Sequence, residues 1–296
     1  MEQEIHPSVF GAEALMETYS DNIILFGPDA LAQLGEELFL SDRKTILLVM
    51  GGASARIPLR MILGSPVFRK PGLNMPHHEN VPPEPDTECV RAIVRTMERE
   101  QPDAVLAVGG GSVMDAAKAA YLSWQTGLDI DDLFGVNVAS DRFPERKFQR
   151  ICAMPTTAGT GSEVTPYSNI IDARTGVKKL LMDPVLIPEA AAVIPELTLT
   201  APEKLTRETG FDALVHSIES FLNFKAMAAH PEAEPLAPEA IRLIVHALPA
   251  ALRNPGDSEA RTRLSAAATL AGMAIRTSPT SLPHLLSYSF CGKASH

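Results

Sequence analysis

Basic side chains and paired cysteines are what this chain lacks. Its 296 residues include 26 lysines and arginines against 36 aspartates and glutamates, a formal net charge of −10. Nucleic acids and anionic membrane surfaces bind proteins through a surplus of basic residues, so neither is an expected partner, and small molecules are the expected ligands. Three cysteines, Cys89, Cys152 and Cys291, are widely spaced and form no CxxC pair. Neither a disulfide framework nor a zinc ribbon follows from them.

Long hydrophobic runs are also missing. No apolar stretch approaches the roughly 18 residues of a membrane-spanning helix, and residues 1–4 lack the basic start of a signal peptide. Hydrophobic residues make up 45% and charged residues 21% of the chain, as in ordinary globular proteins. We therefore expect a cytoplasmic protein without a membrane partner, long enough for two domains of about 150 residues each.

Short apolar runs alternate with helical patterns through the first two thirds of the chain. The runs are continuous and apolar, which is typical of parallel strands covered on both faces. This alternation predicts an open α/β sheet with right-handed crossovers over residues 1–199. The pattern is carried by strands at 22–26, 45–50 and 104–108 and by helices at 29–38 and 87–98.

From about residue 200 onwards the pattern is helical only. The sequence Thr200-Ala201-Pro202-Glu203 predicts the start of a helix through a capping box. Two further helices are predicted at 239–252 and 258–275, with a proline-rich loop at 228–238 before them. The domain boundary is therefore predicted at residue 200, with an all-helical domain over 200–296.

A glycine loop follows the strand at 104–108. Gly109, Gly110, Gly111 and Ser112 lead directly into a helical pattern, which exposes backbone N–H groups and the positive end of a helix to an anion. The loop matches neither GxGxxG nor a Walker sequence. Binding of a cofactor phosphate and a simple tight turn are the two interpretations.

A second polar loop, at 155–163, follows a strand at 151–154. Its sequence PTTAGTGSE contains four hydroxyl groups and two glycines, which suit contact with a ribose or phosphate as well as an ordinary surface loop. Lys178 and Lys179 follow a hairpin turn predicted at 172–176. Solvent exposure is the default expectation for lysines beside a turn, and contact of one of them with a cofactor is the alternative.

Asp212 and His216 stand four residues apart in a segment predicted to be helical. Their side chains meet across one turn, and their neighbours Phe211, Leu214, Val215, Ile218 and Leu222 are apolar. We therefore expect both polar side chains to point into the interior or a cleft. With His284 and His296, they form a ligand set for Fe²⁺ or Zn²⁺ that leaves a position open for substrate. A surface hydrogen bond is the alternative for the pair alone.

Taken in order, these features resemble the iron-containing (group III) alcohol dehydrogenases. The resemblance implies an N-terminal dinucleotide-binding α/β domain with a Rossmann-like parallel sheet, an all-α C-terminal domain as in dehydroquinate synthase, and a catalytic cleft between them. Relatives usually continue past this point, so the chain is expected to be C-terminally truncated. The matching segments are 24–27, Gly109 to Ser112 with Asp115 and Lys118, 155–163, the two lysines, and 209–219.

The resemblance also implies roles for individual residues. Asp212, His216, His284 and His296 would hold the metal, and the first three would be catalytic together with Tyr288, which stands where relatives often have a proton-relay histidine. NAD or NADP would be bound by Gly110, Gly111, Ser112, Asp115, Thr156, Thr157 and Lys178. Gly51 and Ser54 follow the strand at 45–50, where NAD-preferring relatives often carry an acidic residue that binds the ribose 2′-OH. Because none stands there, we expect NADPH to be tolerated or preferred.

The expected activity is hydride transfer between NAD(P) and a small alcohol or aldehyde, with Fe²⁺ or Zn²⁺ polarising the substrate oxygen. A homo-oligomer, most simply a dimer, is expected from the resemblance. Two alternatives are a catalytically impaired cofactor-binding remnant and a dehydroquinate synthase-like lyase. Residues 155–163 and 212–216 favour the dehydrogenase over the lyase.

Overall fold

The computed structural model describes residues 9–39, 44–52, 55–148, 150–231, 234–278, 280–281, 283–284 and 286. The strands in these ranges are β1 (Ile23–Phe26), β2 (Ile46–Met50), β3 (His77–His78), β4 (Ala104–Gly109), β5 (Gly135–Val136), β6 (Arg150–Pro155), β7 (Tyr167–Asp172), β8 (Val177–Met182) and β9 (Ala190–Val193). The α-helices are α1 (Phe10–Tyr19), α2 (Ala30–Phe39), α3 (Arg56–Gly64), α4 (Thr87–Glu100), α5 (Gly111–Thr126), α6 (Val138–Arg142), α7 (Glu203–Leu222), α8 (Phe224–Ala229), α9 (Leu236–Arg253) and α10 (Ser258–Thr277).

A parallel sheet forms the N-terminal part, in the strand order β1-β9-β6-β4-β2-β3. Successive side chains of β2 point to opposite faces. Leu47 and Val49 pack with α4 and α5, whereas Ile46, Leu48 and Met50 pack with α2 and α3. Helices therefore cover both faces, which explains why β2 and β4 are apolar throughout and confirms the predicted α/β architecture.

A small second sheet, β5-β8-β7, stands beside the large one. Strands β7 and β8 are antiparallel, and the predicted turn between them is confirmed. Gly176 adopts a φ of 67° there, a left-handed conformation that glycine reaches without steric cost. This hairpin brings Lys178 and Lys179 to β8, one residue apart and therefore on opposite faces.

The C-terminal part consists of helices, as predicted. Helices α7, α9 and α10 pack around a shared apolar core, and Ala12 and Met16 of α1 join that core. The division at residue 200 stays a prediction, although α1 packs with helices from beyond it. Helix α9 begins at Leu236, inside the segment that was predicted to be a loop.

One prediction about α7 was wrong. The capping box does not form, because the helix begins at Glu203 with Pro202 as N-cap and no side-chain cap. Phe211, Ile218 and Leu222 are 52%, 39% and 57% exposed, so these large apolar residues do not form the buried face. Besides His216 and Glu219, that face consists mainly of small residues, which let helices approach closely: Gly210, Ala213, Ser217 and Ser220.

Candidate metal and cofactor site

One cleft contains both groups of residues that the sequence singled out. It has a volume of about 970 Å³ and lies at the carboxyl ends of β2, β4 and β6, where α/β folds bind ligands. Gly51 and the glycine loop line one part, and Asp212, His216 and His284 line another. The structure therefore brings the proposed cofactor loop and the proposed metal ligands into the same space.

The glycine loop ends β4 and opens α5. Gly110 is the N-cap of this 16-residue helix, so the amides of its first turn are available to an anion in the cleft. A Cβ atom added to Gly111 would lie 2.6 Å from Cγ2 of Thr160, and one added to Gly110 would lie 3.1 Å from Oγ1 of Thr157. A side chain at Gly111 would therefore force a shift of the polar loop at 155–163, whereas one at Gly110 would make a tight contact with it, a reason for the glycines that the sequence alone did not reveal.

Ser112 and Lys178 meet a proline-rich wall of the cleft. The backbone N–H of Glu84 donates to Ser112 Oγ at 3.2 Å, and the Glu84 carboxylate lies 3.5 Å from Lys178 Nζ. Glu84 has a φ of 50°, and the preceding residues Pro82 and Pro83 line the cleft. This wall places a carboxylate beside the lysine that faces the cleft.

The two lysines on β8 have different surroundings. Lys178 lines the cleft. Lys179 instead lies 2.8 Å from Asp172 Oδ2 and 5.0 Å from the centre of the Phe134 ring. Of the two alternatives in the sequence, Lys178 is therefore the candidate for cofactor binding.

Lys118 holds the polar loop in place through hydrogen bonds. Its buried Nζ donates to the Ser162 carbonyl and hydroxyl oxygens and to the carbonyls of Thr165 and Tyr167, the last two at 2.8 and 3.2 Å. Burial lowers the pKa of Lys118 to about 8, although nearby carboxylates oppose the effect. The sequence showed this lysine as part of the family pattern but gave no sign of its contacts, because its partners are mainly backbone oxygens.

Asp115 lies next to this lysine and lines the cleft. Its Oδ1 accepts a hydrogen bond from Ser162 Oγ at 3.1 Å, and its Oδ2 accepts one from the Asn169 N–H at 3.0 Å. Burial raises the pKa of Asp115, against the influence of Lys118. The carboxylate thus joins α5, the polar loop and β7, and its predicted contact with the cofactor stays a prediction.

The polar loop also presses against α7 and α10. Gly161 has a φ of 63°, and a Cβ atom there would lie 2.4 Å from the Gly272 Cα in α10. A Cβ atom on Gly159 would lie 2.5 Å from Cβ of Thr209 in α7. In addition, Thr269 Oγ1 donates to the buried Glu163 carboxylate at 3.0 Å. The loop at 155–163 therefore packs between α5 and the helices of the C-terminal part.

Asp212, His216 and His284 form a compact cluster at the far end of the cleft. Asp212 Oδ1 lies 3.8 Å from His216 Nε2 and 3.6 Å from His284 Nε2. One ligand atom from each residue lies within 4.8 Å of the other two. The imidazole rings are stacked, with centroids 4.6 Å apart and an interplanar angle of 16°. Residues distant in the sequence therefore present three donor atoms to one point.

These separations fit a metal ion better than hydrogen bonds. A donor–acceptor distance of 3.6 Å is too long for a hydrogen bond. A tetrahedral ion at about 2.1 Å from each ligand separates its ligand atoms by roughly 3.4 Å, close to the observed spacing. One carboxylate and two imidazoles also form a donor set that suits Fe²⁺ and Zn²⁺. The residues present thus fit a catalytic divalent metal.

The pKa shifts of Asp212 and His216 favour metal binding, whereas that of His284 opposes it. Burial opposes ionisation of Asp212, but the two histidines and Lys178 keep its pKa below the usual range. Burial lowers the pKa of His216, so its imidazole is held in the neutral form that binds metals. Burial has the same effect on His284, but Asp212 and Glu219 outweigh it and raise the pKa of that imidazole.

Three predicted site residues, Ser54, Tyr288 and His296, lie outside the described residues. The fourth metal ligand and the proton relay therefore stay predictions. Glu219, in contrast, was not predicted to have a role. It lies 2.8 Å from His284 Nδ1, and its position three residues after His216 on one helix was the available signal.

Comparison with protein families agrees with this geometry. The sequence model of iron-containing alcohol dehydrogenases matches residues 21–195, and the model of the C-terminal part of the Fe-containing alcohol dehydrogenase family matches residues 206–295. The chain belongs to the iron-containing alcohol dehydrogenase family. The resemblance found in the sequence is thereby confirmed, together with the fold that it implied.

Characterised members of the family are similar over most of this chain. The NADPH-dependent butanol dehydrogenase of Clostridium saccharobutylicum is 35% identical over 271 residues, which are 90% of this chain and 66% of the relative. The NAD-dependent methanol dehydrogenase of Bacillus methanolicus is 36% identical over 76% of this chain and 57% of its own length. This chain therefore spans about two thirds or less of the length of these two iron-containing alcohol dehydrogenase relatives.

Solved structures of the family have the same fold. An iron-containing alcohol dehydrogenase from Thermotoga maritima aligns with a TM-score of 0.80 and 32% identity, over 92% of this chain and 69% of that one. The alcohol dehydrogenase from Oenococcus oeni aligns with a TM-score of 0.81 and 26% identity, over 92% and 69%. Within the part of the chain that the structure describes, no helix combines the length and apolar character needed to cross a bilayer.

Proposed function

We propose that this protein transfers a hydride between NAD(P) and a small alcohol or aldehyde, using a divalent metal, Fe²⁺ or Zn²⁺, held by Asp212, His216 and His284. The observation that carries this proposal is the convergence of these three side chains within 4.8 Å, in the cleft that the glycine loop also lines. The relatives named as butanol and methanol dehydrogenases support the reaction class.

The protein residues supply binding and orientation. When bound, the metal supplies Lewis acidity to the substrate oxygen and the nicotinamide supplies the hydride chemistry. The amides at the start of α5 and the positive charge of Lys178 attract the cofactor phosphates. Ionised Asp212 and neutral His216 are in the protonation states that metal ligation requires. Leu205 and Ile275 line the same cleft and provide apolar surface for the carbon chain of an alcohol.

The cofactor preference belongs to the same proposal. The described end of β2 leads to Gly51 and Gly52, which offer no carboxylate to a ribose 2′-OH, and exposed Arg56 begins α3 nearby. An acidic residue at this place would repel a 2′-phosphate, so we expect NADPH to be used at least as well as NADH. The ratio of kcat/KM for the two cofactors tests this, and a strong preference for NADH would refute it.

The activity is tested by metal analysis together with an NAD(P)H absorbance assay on short aldehydes. Purified wild-type protein should contain or take up one divalent metal per chain and oxidise NADPH when an aldehyde is added. Asp212→Asn and His216→Ala should each lower metal content and reduce turnover by about 100-fold or more, since each removes one ligand. His246→Ala is the matched control, because His246 is an exposed residue of α9 that lies away from the cleft lining.

Each alternative has its own outcome. Bound metal and bound cofactor without any redox turnover would support a cofactor-binding remnant, and elimination of phosphate from a sugar phosphate substrate would support the lyase. A cytoplasmic location stays a prediction from the sequence pattern, and a homodimer stays a prediction from the family resemblance. Light scattering coupled to gel filtration measures the oligomeric state.

A further inference from the structure

Glu219 is a buried carboxylate beside the proposed metal ligands. Its side chain is 5% exposed, and it follows Asp212 by seven residues and His216 by three, so one face of α7 carries all three. A buried carboxylate is costly unless hydrogen bonds or a positive charge compensate it. Glu219 therefore needs hydrogen-bond partners, and the structure shows two of them.

The partners of Glu219 belong to the segment that carries the third ligand. Oε2 accepts a hydrogen bond from the Ser281 N–H at 2.9 Å and lies 2.8 Å from His284 Nδ1. An ionised carboxylate has only acceptor atoms, so Oε2 can accept a second hydrogen bond from the imidazole. In neutral His284 this arrangement favours the tautomer with its proton on Nδ1.

This tautomer has a direct consequence for the metal centre. With Nδ1 protonated, Nε2 carries the free electron pair, and Nε2 is the atom that lies 3.6 Å from Asp212 Oδ1. A ligating histidine is commonly fixed in this way by a carboxylate on its other nitrogen, which also makes the imidazole a better donor. The Ser281 contact holds the backbone next to His284 against α7 at the same time.

The second carboxylate oxygen of Glu219, Oε1, can still accept a hydrogen bond. Oε1 of Glu219 and Nδ1 of His216 are both buried, and neither has a hydrogen-bond partner among the residues that the structure describes. They belong to residues one turn apart on the same helix face. The carboxylate is hydrogen-bonded to one of the two stacked imidazoles, that of His284.

We propose that Glu219 is a positioning residue of the metal centre, whose carboxylate selects the tautomer and orientation of His284 and holds that residue against α7. This inference rests on the proposed metal site of Asp212, His216 and His284. A purely structural tether is the competing explanation. The two differ because a tether affects the stability of the metal-free fold, whereas a positioning carboxylate affects metal affinity in molecules that are folded.

The test is a titration of the metal-free full chain with Co²⁺, followed through the visible absorption of the bound ion and by competition with a chelator. The variants are Glu219→Ala, which removes the acceptor, and Glu219→Gln, which keeps an acceptor oxygen but removes the charge. Glu208→Gln is the matched control, because Glu208 lies on the same helix, is exposed and pairs at 3.8 Å with Lys204. Thermal unfolding of each metal-free variant measures its fold separately.

Glu219→Ala should weaken Co²⁺ binding by about 10- to 100-fold and change the absorption spectrum. Glu219→Gln should weaken binding less, and Glu208→Gln should bind as the wild type does. In ¹⁵N spectra of the metal-free protein at alkaline pH, His284 should carry its proton on Nδ1 in the wild type and lose this preference in Glu219→Ala. If Glu219→Ala does not fold, Glu219→Gln decides through the same affinity and spectrum.

Three results would overturn the inference, and they are distinguishable. Wild-type binding that Asp212→Asn does not weaken would refute the metal centre itself, and the role of Glu219 with it. A different result would refute the role of Glu219 alone. In that case Asp212→Asn abolishes Co²⁺ binding, but both Glu219 variants bind Co²⁺ with the affinity of the wild type. A loss of stability in metal-free Glu219→Ala without any change in affinity would likewise reduce Glu219 to a tether.

Discussion

Replacement of Gly272 by alanine tests whether the polar loop at 155–163 is packed against α10 as the structure shows. A Cβ atom at this position would lie 2.7 Å from the Gly161 carbonyl oxygen, 2.7 Å from Val164 Cγ2 and 2.8 Å from the Gly161 Cα. Two of these three atoms belong to the backbone, so no side-chain rotation relieves the contact. The loop or the helix has to move.

The size of the effect follows from two opposing contributions. Within a helix, alanine is favoured over glycine by about 1 kcal/mol. The new methyl group would lie about 0.8 Å closer than the ordinary carbon contact of about 3.5 Å, and overpacking of this kind costs about 1–3 kcal/mol. Because the obstacle is mainly backbone, we expect the upper part of that range and a net loss of about 1–2 kcal/mol in the free energy of unfolding.

The displacement should also affect cofactor binding, since the same loop carries Thr156 and Thr157 into the cleft. A misplacement of about 1 Å in a binding loop costs up to about 100-fold in activity, and we expect the dissociation constant for NADPH to rise about tenfold. Urea unfolding and NADPH fluorescence titration measure the two quantities. Gly11→Ala is the control, because a Cβ atom there makes one ordinary contact, at 3.7 Å from Glu239 Oε1. Unchanged stability and unchanged NADPH affinity in Gly272→Ala would refute the close packing of the loop on α10.

Three further predictions concern the cleft and the lysine that holds the polar loop beside it. Lys178→Ala should weaken NADPH binding about tenfold, the loss of roughly one charge-assisted contact, whereas Lys179→Ala should not; equal effects in fluorescence titrations would contradict the assignment of Lys178. Gly111→Ala should impair NADPH binding through its 2.6 Å approach to Thr160 Cγ2, and Thr160→Ser should restore part of the loss in a double-mutant cycle, since serine lacks that methyl group. The pKa of Lys118 falls from an ordinary 10.5 to about 8 on burial, so between these pH values the unfolded chain binds a proton that the folded chain has released. Stability should therefore rise with pH across that interval in the wild type and lose this rise in Lys118→Met, and parallel pH profiles of urea unfolding in the two proteins would show that Lys118 is not responsible.

The sequence was informative where local pattern decides structure. Continuous apolar runs predicted β2 and β4, because strands buried on both faces carry no polar side chains that face solvent. Strand β9 was not predicted, since the alanine-rich Ala190–Val193 has little β-propensity of its own. It becomes a strand through its pairing with β1 on one side and β6 on the other.

Helix α7 shows which part of the site the sequence could predict. Asp212 and His216 were expected to point into the interior or a cleft, and both line the cleft. The helix packs on α9 and α10 through small residues, however, and its large apolar residues Phe211 and Ile218 are exposed. The metal cluster was predicted through spacing and family resemblance, and the position of Glu219 one turn after His216 was a further signal. The contacts of Lys118 are mainly with distant backbone oxygens, which no sequence pattern encodes.

The glycines of the two loops explain how cofactor loop and metal helix are held in one arrangement. On one side of the polar loop, Gly110 and Gly111 leave room for Thr157 and Thr160; on the other, Gly159 leaves room for Thr209. Thr209 precedes the ligand Asp212 by three residues on α7, so it lies one turn away from it. A Cβ atom on Gly111 or Gly159 would lie within 2.6 Å of a threonine side-chain atom, so the loop or the helix would have to shift there. The distance between the glycine-loop end of the cleft and the proposed metal ligands is therefore set by close packing of backbone and threonine side chains, and a reaction that needs the proposed cofactor and metal at once depends on it.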